Sequence, residues 1–157
     1  MTLASLNAAS AADAEAAMLA CCASRSFAAA MVAGRPYQSA DALLAAISST
    51  FTTLTWDDVL EAMRSHPRIG ERVSGQSAVE QSGVTDSSRA ALADANRAYE
   101  QRFGYVFLVC ASGLSGQDML AQLRERLNHD PATERAVATA ELHMITVKRA
   151  AGLVAAP

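Results

Sequence analysis

The stretch after Asp130 restricts this chain most. Ala138, Leu142, Ile145, Arg149 and Leu153 recur at spacings of four, three, four and four, the period of one helix face. Asp130-Pro131 places a capping carboxylate before a proline at the first helical position. The stripe therefore predicts a long helix reaching about Val154. The same period recurs upstream. Leu43, Leu44, Ile47 and Phe51 follow Ser39, an N-cap with Asp41 in the first turn. Val59, Leu60 and Met63 follow Thr55-Trp56-Asp57-Asp58, a capping box with Asp in place of Glu. Leu92, Ala95, Asn96, Tyr99 and Phe103 trace a stripe that Thr85 or Asp86 opens and Gly104 closes. Ser115 opens a helix carrying Met119, Leu120, Leu123 and Leu127, which Asn128 is expected to end in a left-handed conformation.

Composition supports this. Hydrophobic residues make up 51% of the 157, yet aromatic ones only 5%. Alanine is abundant, and it loses no side-chain entropy in a helix. Residues 8–23 are mostly alanine, with Met18 and Leu19 as larger anchors; a short apolar piece over 28–32 follows, and Gly34-Arg35-Pro36-Tyr37 breaks the pattern. Tyr105–Cys110 is an apolar run whose period cannot separate strand from helical turn. No second such run could pair with it, so it reads as non-sheet. The expectation is an all-α fold, a single domain over 1–157 forming a bundle of seven or eight helices.

The net charge of −3, with Lys and Arg dispersed, argues against a nucleic-acid partner. The charge-free runs are broken by Ser, Thr and Gly, so no membrane span is expected. No basic residue precedes Arg25, against a signal peptide, and the last three residues are not a peroxisomal address. Cys21, Cys22 and Cys110 form no C-x-x-C pair, and His66, His129 and His143 are far apart. No metal is expected, and free thiols fit a cytoplasmic location. Cys110 reads as a packed, inert thiol.

The chemistry concentrates in Ser65-His66-Pro67-Arg68-Ile69-Gly70 and Ser77-Ala78-Val79-Glu80-Gln81. Pro67 forces His66 out of helical geometry, so its imidazole projects from a loop. If 77–81 is helical, Ser77, Glu80 and Gln81 share a face. A histidine facing a carboxylate makes an acid/base pair. The blander alternative is a capped turn beside a solvated helix. Arg149 is a cation on an apolar stripe, either snorkelling at its edge or presenting a guanidinium to an anion. His129 reads as a solvated cap, His143 as a surface or subunit-contact residue, and Trp56 and Tyr99 as core anchors.

Taken in order, several segments resemble the OHCU decarboxylase family, which acts on 2-oxo-4-hydroxy-4-carboxy-5-ureidoimidazoline. They are Arg35-Pro36-Tyr37, His66-Pro67-Arg68-Ile69-Gly70, Ser77-x-x-Glu80-Gln81, and Asn96-x-x-Tyr99-x-x-x-Phe103-Gly104-Tyr105-x-Phe107-Leu108-Val109-Cys110. Arg126-Leu127-Asn128 and Glu141-Leu142-x-x-Ile145-x-x-x-Arg149 complete the set. The family usually has Phe at Tyr37 and commonly leucine at Lys148. The resemblance implies an all-helical, cofactor-independent carboxy-lyase of urate degradation, usually a homodimer, whose ligand is a small-molecule ureide and whose product is (S)-allantoin. It further implies His66 and Glu80 as catalytic residues. Pro67, Ser77, Gln81, Arg149 and the backbone of Phe107, Leu108 and Val109 would contact the substrate. Decarboxylation leaves a carbanion that the adjoining ring C=O or C=N can delocalise, so no organic cofactor is demanded. Whether His66 removes the hydroxyl proton or protonates the carbanion stays open at this level; a part in both steps is favoured. The competing readings are a non-catalytic α domain binding a ureide or carboxylate, and a ureide hydrolase. The hydrolase would want a metal cluster or an activated nucleophile, and neither is visible in the sequence.

Overall fold

The computed structural model describes residues 1–71 and 74–155; residues 156–157, weighed above as an address signal, lie outside them. The described residues form nine α-helices: α1 (Leu3–Ala8), α2 (Ala11–Cys21), α3 (Arg25–Ala33), α4 (Ala40–Phe51), α5 (Trp56–Met63), α6 (Gly75–Glu80), α7 (Asp86–Phe103), α8 (Gly116–Arg126) and α9 (Pro131–Ala155). No strand occurs among them; the only β pairing there is an isolated bridge between Thr2 and Ala155. The all-α expectation holds, and Tyr105–Cys110 is non-helical, non-sheet backbone. No described helix is long and apolar enough to cross a membrane.

Starts and stops follow the capping chemistry. Ser10, Ser24 and Ser39 each accept a backbone N–H of the following first turn. Asp58 closes the Thr55 box, accepting from Thr55 N and Oγ1 at 2.8 and 2.7 Å. Thr85 and Ser115 form capping boxes with Ser88 and Asp118. Asp130 accepts from Ala132 N and Thr133 N, both at 3.0 Å. Gly104 ends α7 in the left-handed region, φ +81. The expectation for Asn128 fails: among the described residues only glycines have positive φ. α8 already stops at Arg126, and the Asn128 side-chain amide donates to Arg124 O at 3.2 Å, satisfying a terminal carbonyl from outside the helix.

The chain divides into two compact units: 1–62 with the last part of α9 from Leu142, and Met63–Glu141. In the first, Leu6, Met18, Phe27, Met31, Leu43, Ile47 and Leu142 are fully or almost fully buried. Arg35 and Tyr37 tie this unit together. Arg35 Nη1 donates to Leu6 O and Ala9 O at 2.7 and 2.9 Å, supplying the carbonyls α1 leaves unsatisfied at its end. Tyr37 exchanges two bonds with the Asn7 amide and donates its hydroxyl to Met31 O at 2.7 Å. His143, read from sequence as a surface or subunit-contact residue, is half-buried here. It shares a 3.1 Å hydrogen bond with Ser48 Oγ and lies 4.9 Å from the Phe51 ring.

In the second unit Ile69, Leu92, Tyr99, Phe107, Val109, Met119, Leu120 and Leu123 form a continuous core. Each fully buried side chain of this size contributes roughly 1.5–3 kcal/mol by leaving water. Gly83 lets two loops meet: its carbonyl accepts Gly116 N–H at 2.9 Å, and a Cβ on Gly83 would collide with Leu114 O.

Gly83→Ala is expected to lower unfolding stability by about 1–3 kcal/mol, because backbone rather than a flexible side-chain end must give way. Denaturant titration checks this; an unchanged midpoint would contradict the close approach. A second expectation concerns the thiols. Cys21, Cys22 and Cys110 are all free and buried. Burial pushes Cys21 and Cys22 up to about 11, outweighing the opposing charge of Arg149. At pH 8 only about one in a thousand of each is thiolate. A disulfide reagent should react slowly with native protein and count 3 thiols once it is denatured. Rapid native labelling of two thiols would contradict the burial.

Candidate active site

The site starts where α5 stops. Pro67 cannot continue the helix, and His66 N–H closes the final turn onto Met63 O at 3.0 Å. His66 is half-buried, and its Nε2 atom is buried. The residues that follow are pinned by side chains from two other segments. Asn96 Nδ2 donates to Ile69 O at 2.7 Å. Gly70 N–H donates to Gln81 Oε1 at 3.0 Å, and the Arg89 guanidinium donates to Gly70 O. Arg68 Nε donates to both oxygens of Glu100, at 2.9 and 3.1 Å. Gly70 sits at φ +90, and a Cβ there would press on Leu92 Cβ at 3.3 Å, so conformation and space both require glycine. Two consecutive residues after His66-Pro67-Arg68 thus have their peptide groups held by buried or half-buried partners. An open groove of about 350 Å³ runs beside this loop, lined by Arg68, Ile69, Gly70, Asn96, Arg97 and Glu100 among others.

α6 realises the expected spacing. Ser77 and Glu80 lie on it, both half-buried, and Gln81 is its C-cap, its N–H donating to Ser77 O at 3.0 Å. Gln81 is nearly buried, 8% exposed, and spends its oxygen on the loop. What it can offer a ligand is therefore its amide N–H side.

The apolar segment is equally constrained. Phe107, Leu108 and Val109 are buried. Arg126 Nη1 donates to Leu108 O at 2.7 Å, while its Nε and Nη2 reach Glu134 Oε1 at 2.8 and 2.6 Å. Arg126 is 4% exposed and Glu134 0%. The guanidinium carbon lies 4.5 Å from the Phe107 ring centre and 5.9 Å from that of Tyr99. The Tyr99 hydroxyl donates to Glu134 Oε1. Burial first, then that hydrogen bond, hold the Tyr99 pKa above its ordinary value, so it remains a donor. His129 is no solvated cap: its Nδ1 lies 3.0 Å from Glu134 Oε2. Further along, Cys110 N–H donates to Glu141 Oε2 at 2.7 Å.

His66, Pro67, Ser77, Glu80, Gln81, Phe107, Leu108 and Val109 all belong to the second unit. Arg149 belongs to the first, half-buried on α9, with its charge acting on Cys21 and Cys22. Among the described residues no three His, Cys, Asp or Glu side chains converge as a metal site.

Comparison with known proteins decides the family. The OHCU decarboxylase family model matches residues 7–151. The chain belongs to the OHCU decarboxylase family. It is 30% identical over 141 residues to the 2-oxo-4-hydroxy-4-carboxy-5-ureidoimidazoline decarboxylase of Amia calva, covering 83% of this chain and 81% of that protein. A uric acid degradation bifunctional protein of Arabidopsis thaliana is 34% identical over 85% of this chain, but the chain spans only 45% of its length. Among solved structures, an OHCU decarboxylase crystallised in the presence of (S)-allantoin superposes with a TM-score of 0.76. The two share 32% identity, covering 88% of this chain and 96% of that one.

Within this OHCU decarboxylase family member, sequence reading passed over Asn96, Arg89, Arg126, Glu134 and Glu141 as functional supports. Their signal was available as polar groups inside or beside apolar stripes, Asn96 between Leu92 and Tyr99 above all. Their partners lie far away in sequence, so the pairing itself could not be read. Asn96→Ala leaves the buried Ile69 carbonyl without its donor. It is expected to cost about 1–3 kcal/mol, read by thermal or denaturant unfolding. A neutral substitution would mean that the loop holds itself.

Proposed function

We propose that this protein decarboxylates 2-oxo-4-hydroxy-4-carboxy-5-ureidoimidazoline to (S)-allantoin. The observation that carries this is the family match across residues 7–151, which spans both structural units. It supports treating the whole chain as one decarboxylase domain. The site motif His66-Pro67 with Ser77, Glu80 and Gln81 is also intact.

The substrate's name places a hydroxyl and a carboxylate on one ring carbon. The bond to the carboxylate breaks, and its electron pair passes into the adjoining ring C=N. The hydroxyl-bearing carbon becomes a carbonyl, and the ureido-bearing carbon takes a proton on one face. The ring nitrogen of the former C=N takes a second proton from water, which balances the negative charge left when the carboxylate departs as carbon dioxide. His66 is the acid/base group: it accepts the hydroxyl proton and returns a proton to the ring carbon, a cycle that suits an imidazole whose ordinary pKa lies near neutrality. Glu80 orients His66 or holds the hydroxyl. Ser77 and the Gln81 amide supply directional hydrogen bonds, Pro67 walls the ring, and the Phe107–Val109 backbone contacts it. Arg149 offers a planar fork to the carboxylate or ureido oxygen, which an ammonium cannot reproduce. The protein works without cofactor or metal, as a homodimer. The loop clamps described above favour catalysis over simple ligand binding, because proton transfer needs His66 held more closely than binding does.

His66→Asn should keep the wild-type unfolding midpoint and lose nearly all turnover, since a general acid/base contributes about 10²–10⁴-fold. Absorbance decay of freshly generated substrate checks this, and chelator in the same assay should change nothing. Near-normal turnover in folded His66→Asn would remove the assigned mechanism.

A further inference from the structure

Glu134 and Glu141 stand seven residues apart on α9, two turns along one face. Both serve the same short segment. Glu134 acts through Arg126, which donates to Leu108 O at 2.7 Å. Glu141 acts directly, accepting Cys110 N–H at 2.7 Å. The two clamped groups flank Val109 on either side. Both peptide bonds are trans, since the only cis bond among the described residues is Arg35–Pro36. A trans peptide sets each C=O antiparallel to the following N–H. With Leu108 O turned to Arg126, Val109 N–H faces away from that clamp. With Cys110 N–H turned to Glu141, Val109 C=O faces away from the other.

We propose that Glu141 is a positioning residue for substrate recognition. Together with Arg126 it holds Val109 so that its N–H and C=O form a donor–acceptor edge for a cyclic amide or ureide, whose own N–H and C=O are adjacent. This rests on the decarboxylase reading and deepens it. The chemistry explains why a carboxylate stands at position 141. A charged acceptor binds a peptide N–H about twice as strongly as a neutral one. It therefore keeps Cys110 N–H from turning toward the ligand. Glu141 is half-buried, unlike Glu134, so it can be exchanged without leaving a buried charge unpaired.

The test uses full-length protein and three versions of residue 141. Glu141→Ala should raise the KM for fresh substrate and the Kd for (S)-allantoin by about tenfold, with kcat changed by less than about threefold. Glu141→Gln, whose amide oxygen still accepts but carries no charge, should bring both constants part of the way back toward wild type. In isotope-labelled wild type, saturating (S)-allantoin should shift the Val109 amide resonance, and in Glu141→Ala that shift should shrink. A folded Glu141→Ala with wild-type KM and Kd would overturn the proposal, as would a loss of kcat alone. Should Glu141→Ala not fold, the wild-type Val109 amide decides: an unmoved resonance at saturation overturns the proposal. Wild type that neither turns over the substrate nor binds allantoin would overturn the decarboxylase reading, and this proposal with it.

Discussion

The second unit is organised around a buried ion pair. Arg126 and Glu134 are at most 4% exposed, and neither charge could remain there alone. Removing ions from water costs several kcal/mol each, and mutual attraction offsets this only when every remaining donor and acceptor is satisfied. Here the satisfaction is extensive. Glu134 takes the Arg126 fork and the Tyr99 hydroxyl on one oxygen and faces His129 Nδ1 with the other. Arg126 gives its remaining arm to Leu108 O and lies over Phe107. Breaking such a pair from one side typically costs about 3–5 kcal/mol. The pair therefore adds little net stability compared with an apolar core, yet it allows one position for the segment around Leu108.

The loop after His66 follows the same logic with neutral groups. Backbone that is neither helix nor strand still needs partners for every buried N–H and C=O. Asn96, Gln81 and Arg89 provide them for Ile69 and Gly70. Each clamp joins segments distant in sequence: 27 residues separate Asn96 from Ile69, and 31 separate Glu141 from Cys110. Irregular backbone held by side chains leaves other main-chain groups to face a ligand, which regular helices do not allow. An α-helical protein can hold polar main-chain groups rigidly in this way without a sheet edge as scaffold.

Much of this was legible in the sequence, and what was not has a common cause. Caps and helical periods are local, so Ser39, Thr55, Thr85, Ser115 and Asp130 announced their helices, and Gly104 its stop. The pattern at 105–110 lacked a partner run and so read correctly as non-sheet. The failures involve polar side chains whose roles are fixed by tertiary neighbours. His129 looks like a helix-end residue until Glu134 folds back to it. Asn128 offered a left-handed stop, but α8 ended earlier, at Arg126. Gln81 was singled out in the sequence as a candidate site residue, but the commitment of its oxygen to Gly70 was not legible there. The family pattern included Arg126 and Glu141, and only the fold gives them work to do.

The proposed reaction places two events on this framework: carbon dioxide leaves, and a proton arrives on one face of a planar ring. In the proposed reaction, one-face delivery is what a fixed His66 loop and a fixed Val109 backbone would enforce. The most direct measurement is therefore product chirality. Fresh substrate is generated from urate by upstream enzymes, this protein is added, and circular dichroism is followed as the substrate decays. Decay faster than the spontaneous rate is expected, with the product almost wholly (S)-allantoin. Racemic allantoin appearing at the spontaneous rate would contradict the proposed reaction.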